Sequence, residues 1–210
     1  MKANALSLLL MLLLSACYVD VYETGKSSSS YYTYSSDSHS GSSSSQKIEP
    51  QDSVHCGERL YKVVKMGSQI WTAQNLNEIP KSGNSWCYGT INAHCTTHGR
   101  LYDWEAARNV CSTCEGSWKL PSRDDYDILR DWDADDLRAT SVWHAVYGGL
   151  RFEDESRGPF ALFDIEGYWW SSTKSSDWVY YFTLERGGIG LNKNSGGNVA
   201  RGFSVRCIKN

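Results

Sequence analysis

Between Gly99 and Trp132 the chain reads GRLYDWEAARNVCSTCEGSWKLPSRDDYDILRDW, and its apolar positions fall into two helical patterns. Trp104, Ala107 and Cys111 share one narrow face while Glu105, Arg108 and Asn109 point elsewhere, which predicts an amphipathic helix with that face buried. After Pro121, Ser122 followed three residues later by Asp125 has capping-box character and opens a second helix with Ile128, Leu129 and Trp132 facing inward. The segment CEGSWKLP between them reads as a turn. This stretch is the expected hub against which the rest of the chain packs.

Elsewhere the pattern alternates. In Leu60 to Trp71, Tyr61, Val63 and Lys65 alternate with Lys62 and Val64, and Met66-Gly67-Ser68-Gln69 supplies a turn, predicting a hairpin of two edge strands. Asn75 to Asn77 and Lys81 to Trp86 read as loop, leading into the apolar patch Trp86-Cys87-Tyr88. Tyr168 to Thr173 and Asp177 to Phe182 predict a second hairpin closed through Lys174 to Ser176. Alternation there sets Trp170, Val179 and Tyr181 on one face and Trp169, Tyr180 and Phe182 on the other. Gly187-Gly188, Gly196-Gly197 and Gly202 punctuate two further strands, the last ending in Phe203 to Ile208.

The N-terminus has a different character. Met1 and Lys2 precede an apolar run, Ala5 to Leu14, too short to span a bilayer as a mature helix, which reads as an export signal. Its end, Leu14-Ser15-Ala16-Cys17, resembles a bacterial lipobox. That resemblance implies cleavage before Cys17 and acylation of its sulfur and new amino group with chains such as palmitate. Each buried methylene contributes about 0.8 kcal/mol, so three such chains hold a protein on a membrane essentially permanently. The tract SSSSYYTYSSDSHSGSSSSQ has almost no aliphatic residues to offset the entropy of ordering and predicts a flexible tether with a reach of roughly 30 Å. The expected organisation is a signal peptide over 1–16, a lipidated Cys17 and tether over 17–47, and one globular domain over 48–210.

A net charge of -3 from interspersed acids and bases excludes the electrostatic footprint of a nucleic-acid binder. Nine Trp and 13 Tyr against five Phe fit either an aromatic-stapled core or a binding face, since both rings join an apolar body to a polar tip.

Six strings in order, GERLYKVVKMGSQIWTAQNLN, SWCYG, HGRLYDWEAA, the Cys114 to Pro121 turn, WWSST and GFSVRCIKN, resemble the Fibrobacter succinogenes major paralogous domain of bacterial surface and secreted proteins. The resemblance spans about Cys56 to Asn210. It implies an α+β, C-type-lectin-like fold: two short helices on small antiparallel sheets, loop-rich and disulfide-stapled, with the terminal strand pairing near the first. It also implies that Cys87 closes a local loop with Cys95 and that Cys114 ties the hub to Cys207. Cys56 and Cys111 depart from the family pattern and would then pair with each other. The segment from His144 to Asp164 is shortened and altered relative to the family.

Chemically, an exported chain meets oxidising conditions, so the six cysteines after Cys17 are expected to form three disulfides, with connectivity left open by the residues themselves. Cys111-Ser112-Thr113-Cys114 is the sharper alternative, a redox or zinc pair, but a lone C-x2-C lacks the strand-helix context or second pair such chemistry needs. His94 and His98, i and i+4 around Cys95, lack a third ligand and read as a surface loop. No nucleophile elbow, Walker loop or dinucleotide fingerprint is present, and Glu153, Asp154 and Glu155 read as a solvated run. No catalytic residue, metal or cofactor is therefore assigned.

Trp169, Trp178, Tyr180, Asn192 and Asn194 are the candidate ligand-binding residues, because pyranose faces stack on aromatic rings while amides meet hydroxyls. For Trp169 and Trp170 the competing reading is core packing. The calcium-lectin signatures Glu-Pro-Asn and Trp-Asn-Asp are missing, leaving no evident oxygen cage. The expected function is a non-enzymatic binding or adhesion module on a cell-envelope lipoprotein, anchored in the outer membrane, surface-exposed, with a polysaccharide or surface protein as partner. The alternatives are an enzyme of the formylglycine-generating type and a structural envelope component.

Overall fold

The computed structural model describes residues 53–154, 158–185, 188–194 and 198–210. The signal sequence, Cys17 and the Ser-rich tract lie outside the described residues. In chain order, β1 (Ser53–Cys56), β2 (Arg59–Met66) and β3 (Gln69–Thr72) precede β4 (Ser85–Trp86), α1 (Asn92–His98), β5 (Leu101–Tyr102) and α2 (Trp104–Val110). Then come β6 (Trp118–Lys119), α3 (Arg123–Asp127), α4 (Ala134–Arg138), β7 (Leu150–Arg151) and β8 (Phe160–Ala161). The chain finishes with β9 (Gly167–Ser175), β10 (Trp178–Glu185), β11 (Gly188–Asn194) and β12 (Ile208–Lys209). The result is a mixed α/β structure with short helices, small antiparallel sheets and three disulfides.

The first predicted helix forms where its pattern places it, while the second is α-helical only over Arg123–Asp127, continues as a 3-10 turn over Ile128–Asp131 and is extended at Trp132. Asp103 caps α2 by accepting from the Ala106 N–H at 2.8 Å. A 3-10 turn then carries Cys111 on the same buried face as Trp104 and Ala107. Ser122 and Asp125 cap α3 reciprocally, satisfying N–H groups that a helix start leaves without partners. Beyond α3, Leu129 is fully buried, with Ile128 and Trp132 half-buried beside it.

Both hairpins are also present, but β2 and β3 are interior strands rather than the expected edge pair. The five-stranded sheet runs β1-β2-β3-β12-β6, because Ser53–Cys56 adds outside β2 and Ile208 pairs with Trp71. The second sheet runs β11-β10-β9, with Trp170 opposite Tyr181 and Trp169 opposite Phe182. Alternation along these strands divides two cores. Tyr61, Val63, Trp170, Val179, Val205 and Cys207 pack with the α2 face, whereas Val64, Met66, Trp169, Phe182, Leu184 and Ile208 pack with Trp71, Tyr126 and Trp143.

The predicted last strand is regular only at Ile208–Lys209. From Gly202 to Cys207 it is instead a thread bonded to several elements in turn. Gly202 exchanges backbone bonds with Arg151, and Phe203 does so with Tyr102. Ser204 bonds Tyr168 and Trp170, while the Val205 and Cys207 carbonyls accept from the N–H groups of Leu76 and Thr72. The central element is thus this buried C-terminal thread, with the 99–132 stretch packed against it.

The disulfides correct the pairing implied by the family resemblance. Cys87–Cys95 is as expected, but Cys114 joins Cys56 and Cys111 joins Cys207. Cys111 ends the apolar face of α2 and so points into the core where Cys207 lies. Cys114 follows a 3-10 turn in extended conformation and sits opposite Cys56 in an antiparallel bridge, flanked by Gly57 N–H to Thr113 O at 2.9 Å and Glu115 N–H to His55 O at 2.8 Å.

Candidate functional site

The five ligand candidates do not converge. Trp169 is wholly buried, its indole N–H donating to Asn75 Oδ1 at 2.8 Å and its ring 5.0 Å from that of Trp143. It is core rather than a stacking platform. Tyr180 is also buried, beneath the Arg123 guanidinium at 5.4 Å, beside a 260 Å³ cleft lined by Arg123, Arg130, Ile189 and Leu191. Trp178, 42% exposed, stands at the hairpin turn opposite Ser175. Asn192 is exposed and donates to Thr183 Oγ1 at 3.0 Å. Asn194 pairs with Val179 through the backbone, and its side chain lies outside what is described.

A different place has the features of a site. A cleft of about 480 Å³ lies between β2, the segment after β3, α1 and the loop at His144. Its size falls within the roughly 300–1,000 Å³ of small-ligand pockets. Its polar walls come from Arg59, Gln74, Asn77, Thr96, Thr97, His98 and His144.

Two buried networks hold these groups. In the first, the Glu78 carboxylate, 8% exposed, accepts from Arg59 Nη1 at 3.2 Å and from the Tyr61 hydroxyl at 2.8 Å. The Tyr61 oxygen accepts in turn from the Asn77 N–H at 2.9 Å. Burial, with Glu78 beside it, pushes the Tyr61 phenol well above its ordinary value and keeps it a donor. Gly57, at φ +58°, leaves room for the carboxylate where a Cβ would collide with Glu78 Oε2. One edge of Arg59 and the backbone of Asn77 are thereby fixed. Among the described residues the Asn77 side-chain amide and Gln74 Nε2 have no protein partner.

The second network forms the floor. Asn75 Nδ2 donates to the His98 and Val146 carbonyls at 2.9 and 3.0 Å, and its Oδ1 accepts from Trp169 and from Arg206 Nε at 3.1 Å. Arg206 is fully buried, donates to the Trp143 and His144 carbonyls, and lies 4.1 Å over the Trp143 ring. Burial pulls its pKa down to about 9, so the guanidinium is charged at neutral pH. Gly99, at φ +78°, admits Asn75 against its Cα.

His94 and His98 lie on helix α1 and not in the surface loop expected for them. Cys87–Cys95 staples that helix, and the ring of Phe163 meets both imidazoles at 4.4 and 4.2 Å. His98 Nε2 bonds Asp164 Oδ1 at 2.8 Å, and Nδ1 bonds Thr97 Oγ1 at 2.7 Å. This hydroxyl-imidazole-carboxylate line differs from an activated nucleophile in two respects. Thr97 Oγ1 is also bonded within its own helix to Ala93 O at 3.1 Å, and the Asp164 carboxylate is 69% exposed, whereas an activated hydroxyl needs a base held in a water-excluded setting. Among the described residues no group of three or more His, Cys, Asp or Glu is placed to hold a metal ion.

Sequence reasoning missed this cleft. Asn75 and Asn77 read as loop residues, and the only available signal was the density of amides in Gln74-Asn75-Leu76-Asn77. Comparisons of the chain with protein-family models, curated proteins and solved structures give no match.

Proposed function

We propose that the chain is a lipid-anchored lipoprotein of the bacterial outer membrane, displayed at the cell surface, whose head is a non-catalytic binding or adhesion module for polysaccharide. The head is read as a C-type-lectin-like member of the Fibrobacter succinogenes major paralogous domain family. Two sheets around a buried C-terminal thread, a short capped helix pair and a tryptophan-rich strand support that reading. The lipid anchor rests on the Leu14 to Cys17 motif; among the described residues no helix is long and apolar enough to cross a membrane.

The observation that carries the binding role is the cleft itself. The Asn77 amide and Gln74 Nε2, without a protein partner among the described residues, and a guanidinium edge on Arg59 stand over a rigid, hydrogen-bonded base, an arrangement suited to sugar hydroxyls because it offers donors together with the Asn77 acceptor. The enzyme alternative requires a reactive cysteine pair, and the bonding of Cys111 and Cys114 to separate distant partners favours binding over it.

The test is a pull-down of the full chain, purified in detergent, on insoluble polysaccharides including cellulose. Retention on at least one, lost in Asn77→Ala and Gln74→Ala but kept in Trp178→Ala, is the expected outcome. Retention lost only in Trp178→Ala would move the site to the hairpin, and retention on none would reject the polysaccharide role.

A further inference from the structure

We propose that the ligand of this cleft is an acidic polysaccharide, one whose sugars carry carboxylates as uronic acids do, with the carboxylate taken by the free edge of Arg59 beside the Asn77 amide; this rests on the polysaccharide reading above.

Among the described residues, Arg59 is held from one side only. Its Nη1 is bonded to a carboxylate that is itself 8% exposed, while the arginine side chain is 52% exposed. A buried acid thus fixes one corner of a planar fork and leaves its remaining N–H groups without a protein partner among the described residues. A guanidinium pre-positioned in this way loses little freedom on meeting a second carboxylate, and its fork matches carboxylate geometry.

Charge around the cleft points the same way. No Asp or Glu side chain is among the described residues that line it. The acids behind its walls are already engaged, Glu78 by Arg59 and Tyr61 and Asp164 by His98. Positive groups are more numerous: Arg59 at the rim, Lys62 further along β2 and Arg206 in the floor. The His144 imidazole at the cleft wall registers this field, its pKa lowered by burial and then by the Arg206 and Lys62 charges. An excess of positive charge around a concave surface concentrates oppositely charged ligands.

The form of the surface favours a sugar over an acidic peptide. Peptides commonly bind by extending an open sheet edge; β2 pairs with β1 over Arg59–Lys62 and with β3 from Val63 onward, and on the cleft side the Lys62 N–H and carbonyl are already taken by Gln74 Oε1 and the Ala73 N–H. What remains beside the guanidinium is a set of side-chain amides and hydroxyls from Gln74, Asn77 and Thr96, the groups that hydroxyl-rich rings engage.

The test compares polygalacturonate with its fully methyl-esterified form, which keeps the sugar and removes the charge, by calorimetric titration of the full chain in detergent. Binding to the acid form about ten-fold or more tighter than to the ester is expected, weakening as salt is raised. Arg59→Gln should bring the acid form to the level of the ester, with Arg59→Lys recovering part of the difference. Equal affinity for acid and ester overturns the inference while leaving the polysaccharide reading intact. Binding to neither, nor to any neutral glycan, overturns both. Polyglutamate bound as tightly as polygalacturonate overturns it in favour of an acidic peptide. The acid-to-ester comparison needs no variant, so a misfolded Arg59 substitution does not remove the test.

Discussion

The indole N–H of Trp169 donates to Asn75 Oδ1 across 2.8 Å, joining residues 94 positions apart in the sequence and tying the tryptophan-rich strand to the floor of the cleft. The same oxygen accepts from Arg206 Nε at 3.1 Å. Replacing Asn75 with Ala therefore leaves two buried donors without an acceptor, one of them charged. The cost is expected to be about 3–5 kcal/mol, taking roughly 1–3 kcal/mol for each abandoned donor and more for the charged one. Urea unfolding of Asn75→Ala under oxidising conditions checks this.

Trp169 and Trp178 should separate cleanly by substitution. Trp169 is wholly buried among Trp143, Phe182 and Asn75, whereas Trp178 is 42% exposed at a turn. Trp169→Ala is expected to lose about 3–5 kcal/mol, as large-to-small core changes do. Trp178→Ala should stay within about 0.5 kcal/mol of the parent. Thermal unfolding of both variants, followed by near-ultraviolet circular dichroism, is the measurement.

The cross-link between α2 and the C-terminal thread should be the most valuable of the three to stability. Cys111–Cys207 closes a separation of 96 residues against 58 for Cys56–Cys114 and eight for Cys87–Cys95. In the chain-entropy model the longest loop contributes on the order of 4–5 kcal/mol and the shortest about half that. A Cys111→Ser/Cys207→Ser double variant is therefore expected to unfold at markedly lower urea than Cys87→Ser/Cys95→Ser. Peptide mapping of the unreduced parent should recover Cys111 linked to Cys207 and Cys56 linked to Cys114.

Alkali should destabilise the head. Burial raises the phenols of Tyr61, Tyr102 and Tyr126 above the ordinary value of 10.0. Above pH 10 the unfolded chain releases these protons while the folded chain retains them, so stability is full below pH 10 and falls as pH rises. For the fully buried Tyr102 and Tyr126 the slope is about 1.4 kcal/mol per pH unit each. Arg206, lowered from 12.5 to about 9, acts in the opposite sense between those values, and two or more phenols outweigh it once pH passes 10. The urea midpoint measured from pH 8 to pH 11 should hold or rise slightly to pH 10 and then drop.

The local pattern was readable from the residues because its causes are local. The α2 face, the Ser122-Asp125 capping box and both hairpins follow from periodicity and turn chemistry, and each is present. What the residues hid depends on contacts far apart in the chain. Whether β2 and β3 are edge strands is decided by Ser53–Cys56 and Ile208, respectively, and no pattern within the hairpin reports that. Cys111 and Cys114, three positions apart, are directed to different partners by the end of α2 and the turn after it, a change of direction that spacing does not encode. The cleft was hidden for the same reason, since Asn75 meets His98, Val146, Trp169 and Arg206 only once the chain has folded.

Hydrogen-deuterium exchange of the full chain with and without a bound polysaccharide locates the site without any substitution. Protection is expected in segments 59–62, 74–78 and 96–99, where the cleft walls lie, with the 176–192 hairpin region unchanged. Protection confined to the hairpin around Trp178 and Asn192, with those three segments unaffected, would contradict the assignment of the cleft as the binding site.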